Sequence, residues 1–196
     1  MTTIPQAVSM PVERTHRVVR KDEIIARVKE AVAALRKHHV RAYGIVYPGN
    51  GGRIPARLAA KMFGIPRERV EFYGIRRYPD GGGAPYAKPM VYHRPDEAVI
   101  RNRVWILVDD RFHQGETAIY VKQDLEHNLG AVSVVIVTLY YANDIGTYSQ
   151  FRNSSPFSGE GVPDSVWLDF VLWESEGRSA DVAERELIAE GLIDPE

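Results

Sequence analysis

The sequence contains no cysteine among its 196 residues. Disulfide bonds, thiolate metal sites and a cysteine nucleophile are therefore excluded. No apolar run approaches the roughly 20 residues that a membrane-spanning helix needs, and residues 1–12 lack the charged-then-apolar pattern of a secretion signal. We therefore expect a soluble, cytoplasmic protein without a membrane partner.

The chain also lacks an excess of charge of either sign. Its 25 basic and 26 acidic residues leave a formal net charge of −1. No overall field therefore attracts nucleic acid, and we expect no nucleic-acid partner. The length fits one domain with a full apolar core.

Apolar periodicity predicts strands that alternate with helices. One helix is predicted from Asp22, as its cap, to Lys37, and another from Ile54 to Phe63, ending at Gly64. Strands are predicted over residues 42–47, 70–75, 104–108, 131–141 and 166–172, and further helices over 116–129 and 179–192. This alternation indicates an α/β fold with a mainly parallel central sheet flanked by helices.

The irregular segments suggest how this domain is organised. Residues 1–20 are predicted to be an N-terminal arm, residues 21–178 the domain, and residues 179–196 a C-terminal helix. Residues 79–97 include three consecutive glycines and are predicted to form a lid loop. Residues 142–174 are predicted to form a small irregular hood over the strand ends.

The most informative segment is residues 104–117, Val-Trp-Ile-Leu-Val-Asp-Asp-Arg-Phe-His-Gln-Gly-Glu-Thr. A β-forming apolar run ends in Asp109 and Asp110, and a short loop leads to a helix start. Ligands of open α/β sheets bind at the carboxyl ends of strands, and N–H groups at a helix N-terminus bind phosphate. Adjacent carboxylates beside such a terminus suit ribose hydroxyls and hydrated Mg²⁺. The segment predicts a sugar-phosphate site; the alternative is an ordinary turn with solvated acids.

A second segment, residues 47–56, has the sequence Tyr-Pro-Gly-Asn-Gly-Gly-Arg-Ile-Pro-Ala. Three glycines in four residues let consecutive backbone N–H groups point at an anion, and Arg53 adds charge. A plain loop is the alternative. The position between a strand and a helix favours the anion site.

Together these segments resemble the type I phosphoribosyltransferases, nearest the xanthine-guanine and hypoxanthine branch. Residues 108–117 are similar to that family's phosphoribosyl pyrophosphate signature, and residues 49–56 to its pyrophosphate loop. Residues 138–141 resemble the strand that leads to the base, and residues 165–174 the segment that stacks on it. The likeness covers about residues 22–176, and the first signature is its specific part.

The resemblance implies transfer of a 5-phosphoribosyl group from phosphoribosyl pyrophosphate to a purine-like or atypical nitrogenous base, as in purine salvage. Asp109 and Asp110 would bind the ribose hydroxyls directly or through Mg²⁺, and His113 would carry a proton. The implied phosphate-binding residues are Gly49, Asn50, Gly51, Gly52, Arg53, Arg76, Arg77, Gln114, Gly115, Glu116 and Thr117. The implied base-binding residues are Tyr140, Tyr141, Trp167 and Leu168. We also expect a homo-oligomer.

The chain departs from this family pattern on the base side. His113 and Gln114 stand where purine enzymes carry an acid and a threonine, and Ala142 stands where a lysine donates to the base carbonyl. A substrate oxygen left without its donor typically costs about 1–3 kcal/mol. In the pyrophosphate loop, Asn50 replaces a common arginine. The sugar-phosphate half is nearly intact, whereas the base half is not.

Structural alternatives exist for several of these residues. Arg76 and Arg77 fit surface charge as well as a phosphate site, Trp167 fits a core aromatic, and His113 fits a solvated loop. For the whole protein, a non-catalytic sensor of a nucleotide or of phosphoribosyl pyrophosphate is the main alternative. Hydrolysis of a nucleotide in the same site is a third hypothesis.

Overall fold

The computed structural model describes residues 15–77, 86, 88–112, 115–142, 158–163, 165–170 and 180–195. Within these ranges the strands are β1 Thr15–Val19, β2 Gly44–Pro48, β3 Val70–Arg76, β4 Met90–His93, β5 Val104–Phe112, β6 Ser133–Ala142, β7 Ser158–Val162 and β8 Val166–Phe170. The α-helices are α1 Lys21–Lys37, α2 Arg53–Phe63, α3 Glu97–Ile100, α4 Glu116–Gln123 and α5 Ala180–Ala189. A 3₁₀ turn spans Arg67–Arg69, and a π-helical turn spans Asp124–Asn128.

A six-stranded sheet in the order β4-β3-β2-β5-β6-β7 forms the centre of the structure. The described pairs are parallel except β3 with β4, which is antiparallel. The predicted α/β fold with a mainly parallel sheet is therefore confirmed. β2 and β5 are neighbours in the sheet. The strand that follows β2 in the chain, β3, lies toward one edge, whereas the strand that follows β5, β6, lies toward the other edge. The direction in which strands are added therefore reverses between β2 and β5. Open α/β sheets bind their ligands at such a reversal, outside the carboxyl ends of the strands.

A second sheet pairs β1 with β8 in parallel, Thr15 opposite Val166 and Val19 opposite Phe170. The prediction of a loose arm thus differs from the structure, because part of that segment is a strand. Val19 and Phe170 are both buried in the core. This apolar burial attaches the small sheet to the main one.

The core lies on both faces of the central sheet, as the continuous apolar run of β5 requires. Ile106 and Val108 pack on one face with α1, α2 and α5. Trp105 and Leu107 pack on the other face with α4. The alternation does not continue to the end of the strand, because Phe112 packs on the face of Leu107 rather than that of Val108.

The helices confirm part of the predicted boundaries. α2 ends at Gly64, whose φ of 81° is left-handed, as predicted. The predicted cap of α1 is wrong: Arg20 is the N-cap, and Asp22 lies in the first turn, where it favours the helix dipole. α4 ends at Gln123 rather than at residue 129, because the π-helical turn follows. No helix in the described ranges is long and apolar enough to cross a bilayer.

Three strands differ from the sequence prediction. β5 continues to Phe112, so the two acids belong to the strand rather than to the loop after it. β4 lies inside the predicted lid, and β7 lies inside the predicted irregular hood. β7 contains glycines that weaken strand propensity, yet a Cβ at Gly159 would overlap the backbone of Leu139. The close approach of β7 to β6 therefore requires glycine at position 159, although glycine lowers the strand propensity by which β7 could have been predicted.

Helix α5 is attached to α2 through a buried carboxylate. Glu184, which is 4% exposed, pairs with the buried Arg57 and, at 2.5 Å, with Arg53. Lys61 of α2 pairs with Asp194 at 2.5 Å. These ion pairs fix α5 against the helix that follows the glycine-rich loop.

Replacing Glu184 with alanine should destabilise the protein, because it removes the carboxylate that faces buried Arg57. We expect the free energy of unfolding to fall by about 3–5 kcal/mol in urea denaturation. Glu190→Ala is the matched control, since Glu190 pairs with Lys21 at an exposed position. Its expected loss is below about 1 kcal/mol. Equal losses for the two variants would contradict this role of Glu184.

Candidate functional site

A cleft of about 230 Å³ opens at the carboxyl edge of the sheet, where strand order reverses. Six residues predicted from the sequence line it: Gly49, Arg77, Asp109, Gly115, Glu116 and Thr117. They come from the end of β2, the end of β3, the end of β5 and the start of α4. The structure therefore brings together segments far apart in the sequence.

The two acids lie side by side at the end of β5, and their carboxylates are in hydrogen-bond contact with each other. Asp109 lines the cleft beside α4. The Asp110 carboxylate faces Gly51 so closely that a Cβ on that glycine would overlap it. The pair thus lies between the start of α4 and the glycine-rich loop.

Local hydrogen bonds hold these carboxylates at the strand end. The Asp109 carboxylate accepts the Asp110 N–H at 3.0 Å, and the Asp110 carboxylate accepts the Arg111 N–H at 2.7 Å. Removal from water raises the pKa of Asp109 well above its ordinary value, and repulsion by Asp110 raises it further. Burial also raises the pKa of Asp110, although hydrogen bonds oppose that shift. The site therefore stores unfavourable negative charge that a cation or sugar hydroxyls would stabilise.

The start of α4 presents its backbone to the cleft. Gly115 is its N-cap, with a φ of 74°, and a Cβ there would overlap the Phe112 ring. Glycine has no side chain to cap the helix, so the first-turn N–H groups face the cleft together with Thr117. This backbone geometry suits a phosphate monoester.

The glycine-rich loop is held by one hydrogen bond to β3 and one within the loop. The Gly49 N–H donates to the Tyr73 carbonyl at 3.0 Å, and the Arg53 N–H donates to the Asn50 carbonyl at 3.2 Å. The Arg53 side chain turns to α5, where it meets Glu184. The Gly49 N–H and the Arg53 guanidinium, both predicted to contact an anion, thus have partners within the protein. Gly51 lies beside Asp110.

The two predicted arginines at the end of β3 take different places. Arg77 forms an ion pair with Glu116 across the cleft, and both residues line it. The Arg76 guanidinium lies 5.3 Å from the centre of the Tyr92 ring, over the edge strand β4. Only Arg77 therefore reaches the cleft described here.

Solved structures share this architecture. A purine phosphoribosyltransferase from Pyrococcus horikoshii Ot3 is 18% identical with a TM-score of 0.61, over 83% of this chain and 96% of that one. A hypothetical protein from Neisseria gonorrhoeae with bound ppGpp is 17% identical with a TM-score of 0.63, over 90% and 98%. The xanthine-guanine-hypoxanthine phosphoribosyltransferase of Helicobacter pylori is 13% identical with a TM-score of 0.61, over 87% and 98%.

The chain has the type I phosphoribosyltransferase fold. No family model and no curated protein matches its sequence. The predicted resemblance is therefore confirmed at the level of the fold. At these identities the likeness shows the architecture alone.

Within this phosphoribosyltransferase fold, the predicted base-binding residues are dispersed. Tyr140 is fully buried on the α1 side, where its hydroxyl donates to Glu23 at 2.8 Å, and Leu168 is buried in the same cluster. Burial and donation to Glu23 raise the pKa of Tyr140. Tyr141 is half-buried and pairs in register with Phe112, which lines the cleft. Of the four residues, Tyr141 is the one whose described position adjoins the cleft.

Several predicted positions lie outside the described residues. These are His113, Gln114, the side chain of Trp167 and most of the lid loop. The Trp167 backbone lies in β8 opposite His16. The proton carrier, the stacking residue and the lid therefore stay predictions.

Sequence reasoning missed five residues that line the cleft: Pro48, Ile75, Arg111, Phe112 and Ala118. No local signal indicated Arg111 or Phe112, because the sequence predicts that the strand ends at residue 108, before the acids.

The donor set fits Mg²⁺ by its chemistry. Magnesium prefers carboxylate oxygens and usually keeps several waters, and Asp109 and Asp110 hold mutually repelling charges. Among the described residues, no three His, Cys, Asp or Glu side chains cluster as a closed metal site. The fit is therefore to an ion shared with a phosphorylated ligand rather than to an all-protein cage.

Replacing Asp109 with asparagine should stabilise the ligand-free protein at pH 7. The folded state binds the Asp109 proton more tightly than the unfolded chain, so stability falls as the pH rises from about 4, the ordinary aspartate value, through the raised pKa. Above that pKa the loss is complete. Asp109→Asn should therefore unfold at a higher temperature than wild type at pH 7 and depend less on pH, as measured by calorimetry.

The control is Glu68→Gln, which changes an exposed carboxylate away from the cleft. We expect this variant to follow the wild-type curve of unfolding temperature against pH. A lower unfolding temperature for Asp109→Asn at pH 7 would show that the carboxylate stabilises the fold.

Proposed function

We propose that the protein is a Mg²⁺-dependent phosphoribosyltransferase that transfers a 5-phosphoribosyl group to a nitrogenous base. One observation carries this proposal: Asp109 lies in a cleft between the start of α4 and the glycine-rich loop, where strand order reverses. A ribose that bears phosphate groups at both ends matches a carboxylate flanked by two backbone cradles.

In the proposed complex, Asp109 accepts hydrogen bonds from the ribose hydroxyls. The first turn of α4, with Thr117, binds the 5′-phosphate through N–H groups and a hydroxyl. The loop of Asn50, Gly51 and Gly52 binds pyrophosphate, and Asp110 supports this loop from β5. Bound Mg²⁺ would neutralise pyrophosphate charge as the leaving group departs.

The reaction breaks the bond between C1′ and the pyrophosphate oxygen, and it forms a bond between C1′ and a ring nitrogen of the base. The base loses the proton of that nitrogen, and His113 is the proposed acceptor. The products are a nucleoside 5′-monophosphate and pyrophosphate. Exclusion of water by the lid, residues 79–97, would protect the oxocarbenium-like sugar from hydrolysis.

The base is proposed to bind beyond the ribose, at the ends of β5 and β6. Tyr141 and the Trp167 segment would contact its ring, since aromatic faces give apolar contact without selecting one base. We propose that the protein is a homo-oligomer and that it acts in nucleotide metabolism. The sequence leads us to expect a cytoplasmic location. Arg77 would leave Glu116 and bind the departing pyrophosphate.

Replacing Asp109 and Asp110 together with asparagine should abolish tight binding of phosphoribosyl pyrophosphate. Each carboxylate makes a charge-assisted contact in the proposed complex, so we expect an affinity loss of at least about 100-fold in titration calorimetry. Glu68→Gln serves again as the control and should bind like wild type. Unchanged affinity in the double variant would refute the proposed sugar site.

A second candidate is a nucleotide sensor without turnover. The relative from Neisseria gonorrhoeae carries bound ppGpp on the same fold, and two phosphate cradles suit a nucleotide phosphorylated at two positions. This candidate predicts micromolar or tighter binding of ppGpp, a binding free energy on the order of −8 kcal/mol or better. It also predicts that no base causes release of pyrophosphate from phosphoribosyl pyrophosphate. Release of pyrophosphate with one base in a panel of purines and pyrimidines would favour the enzyme instead.

A further inference from the structure

Glu116 places a carboxylate in the wall of the cleft, at the helix start where a phosphate is proposed to bind. It is the first residue of α4, directly after the Gly115 cap, and it lines the cleft with Thr117. Glu116 is among the implied phosphate-binding residues, yet its side chain has the same sign of charge as phosphate. A carboxylate in the first turn is stabilised by the positive end of the helix dipole. The side chain therefore uses the field that would attract a phosphate.

Arg77 neutralises this carboxylate across the cleft. Its guanidinium, just beyond the end of β3, forms an ion pair with Glu116, and both residues line the cleft. Among the described residues, neither side chain has a second ion-pair partner. The pair thus joins the start of α4 to the strand that precedes the predicted lid loop, residues 79–97.

The ion pair is accessible enough to open. The side chains of Arg77 and Glu116 are 24% and 46% exposed. Ion pairs that water reaches contribute little to stability, because the separated charges are well solvated. A phosphate group carries more negative charge than a carboxylate, so it interacts more strongly with the same arginine. A phosphorylated ligand can therefore displace Glu116 from Arg77.

The charge of Glu116 has no use in the proposed complex. Of the described residues that line the cleft, two are acidic, Asp109 and Glu116. Asp109 would accept hydrogen bonds from the ribose hydroxyls, whereas a phosphate beside Glu116 has no proton to offer it. Repulsion between the two anions then opposes binding until the Glu116 side chain moves away. The inference therefore rests on the proposed phosphoribosyl site.

We propose that Glu116 is an internal competitor of the ligand's phosphate groups and sets the affinity of the site. In the ligand-free protein its carboxylate occupies the Arg77 guanidinium. Binding of phosphoribosyl pyrophosphate breaks this pair, so that Arg77 exchanges one anion for another. Glu116 is then an affinity-determining residue that acts against binding, rather than a phosphate ligand.

Glu116→Gln removes the charge and keeps the size of the side chain. It should bind phosphoribosyl pyrophosphate with Mg²⁺ more tightly than wild type, on the order of 5-fold in titration calorimetry at low ionic strength. The gain should nearly vanish at about 1 M salt, where charges are screened beyond about 3 Å. Inorganic pyrophosphate, which needs no sugar site, should show the same gain.

Glu97→Gln is the matched control. Glu97 forms an ion pair with Arg101 outside the cleft, and its side chain is 45% exposed, nearly as much as that of Glu116. The control changes the net charge by the same amount, so it should bind both probes like wild type. Unfolding temperatures of all variants show whether each one folds.

Arg77→Met, made in wild type and in Glu116→Gln, tests the pair itself. Wild-type Arg77 must leave Glu116 before it binds the ligand, whereas Arg77 in Glu116→Gln has no such cost. Arg77→Met should therefore weaken pyrophosphate binding about 2–5-fold more in the Glu116→Gln protein than in wild type. Equal weakening in both proteins would overturn the exchange, because the two residues would then act independently.

Equal or weaker binding of both probes by Glu116→Gln would overturn the proposal, since Glu116 would then be neutral or would contact the ligand. If wild type binds phosphoribosyl pyrophosphate in that case, the phosphoribosyl site stands and the competition alone fails. If no protein binds phosphoribosyl pyrophosphate but Glu116→Gln binds pyrophosphate more tightly, the competition stands and the proposed function fails. Absence of binding of either probe to any protein would overturn both.

Discussion

The end of β5 is the point on which the site depends. Its first residues are buried on both faces, so β2 and β6 hold the strand rigidly while its last residues leave the core. Two consecutive carboxylates follow, one lining the cleft beside α4 and the other beside Gly51, and they contact each other. Burial opposes the charge of both. A fold keeps such an unfavourable pair when binding, rather than stability, requires it.

Local backbone chemistry explains why the two loops beside the cleft could be located from the sequence. A glycine at the N-cap of α4 and the glycines near residue 51 act through their own backbone, so their roles are visible in short segments. The limits of β5 were not visible, since its last residues become a strand by pairing with β6. β4 and β7 were missed for the same reason, because their strand character comes from a neighbour.

Other predictions were wrong because the side chain has a partner that is far away in the sequence. Arg53 fits an anion site by its position in the loop, yet Glu184 on α5 binds its guanidinium. Tyr140 fits a base pocket by its family position, yet Glu23 on α1 accepts its hydroxyl proton. Both partners lie more than 100 residues away in sequence, so no local pattern indicates them. Arg111 lines the cleft because β5 extends past the acids, which the sequence did not indicate.

The pairing of β1 with β8 has a consequence for the order in which the site is made. Strand β1 precedes all strands of the central sheet in the chain, and its partner β8 follows all of them. Contacts this distant in sequence form slowly, because a long loop must close first. The central sheet and the two loops beside the cleft can therefore form before β1 and β8 meet. The small sheet is completed last.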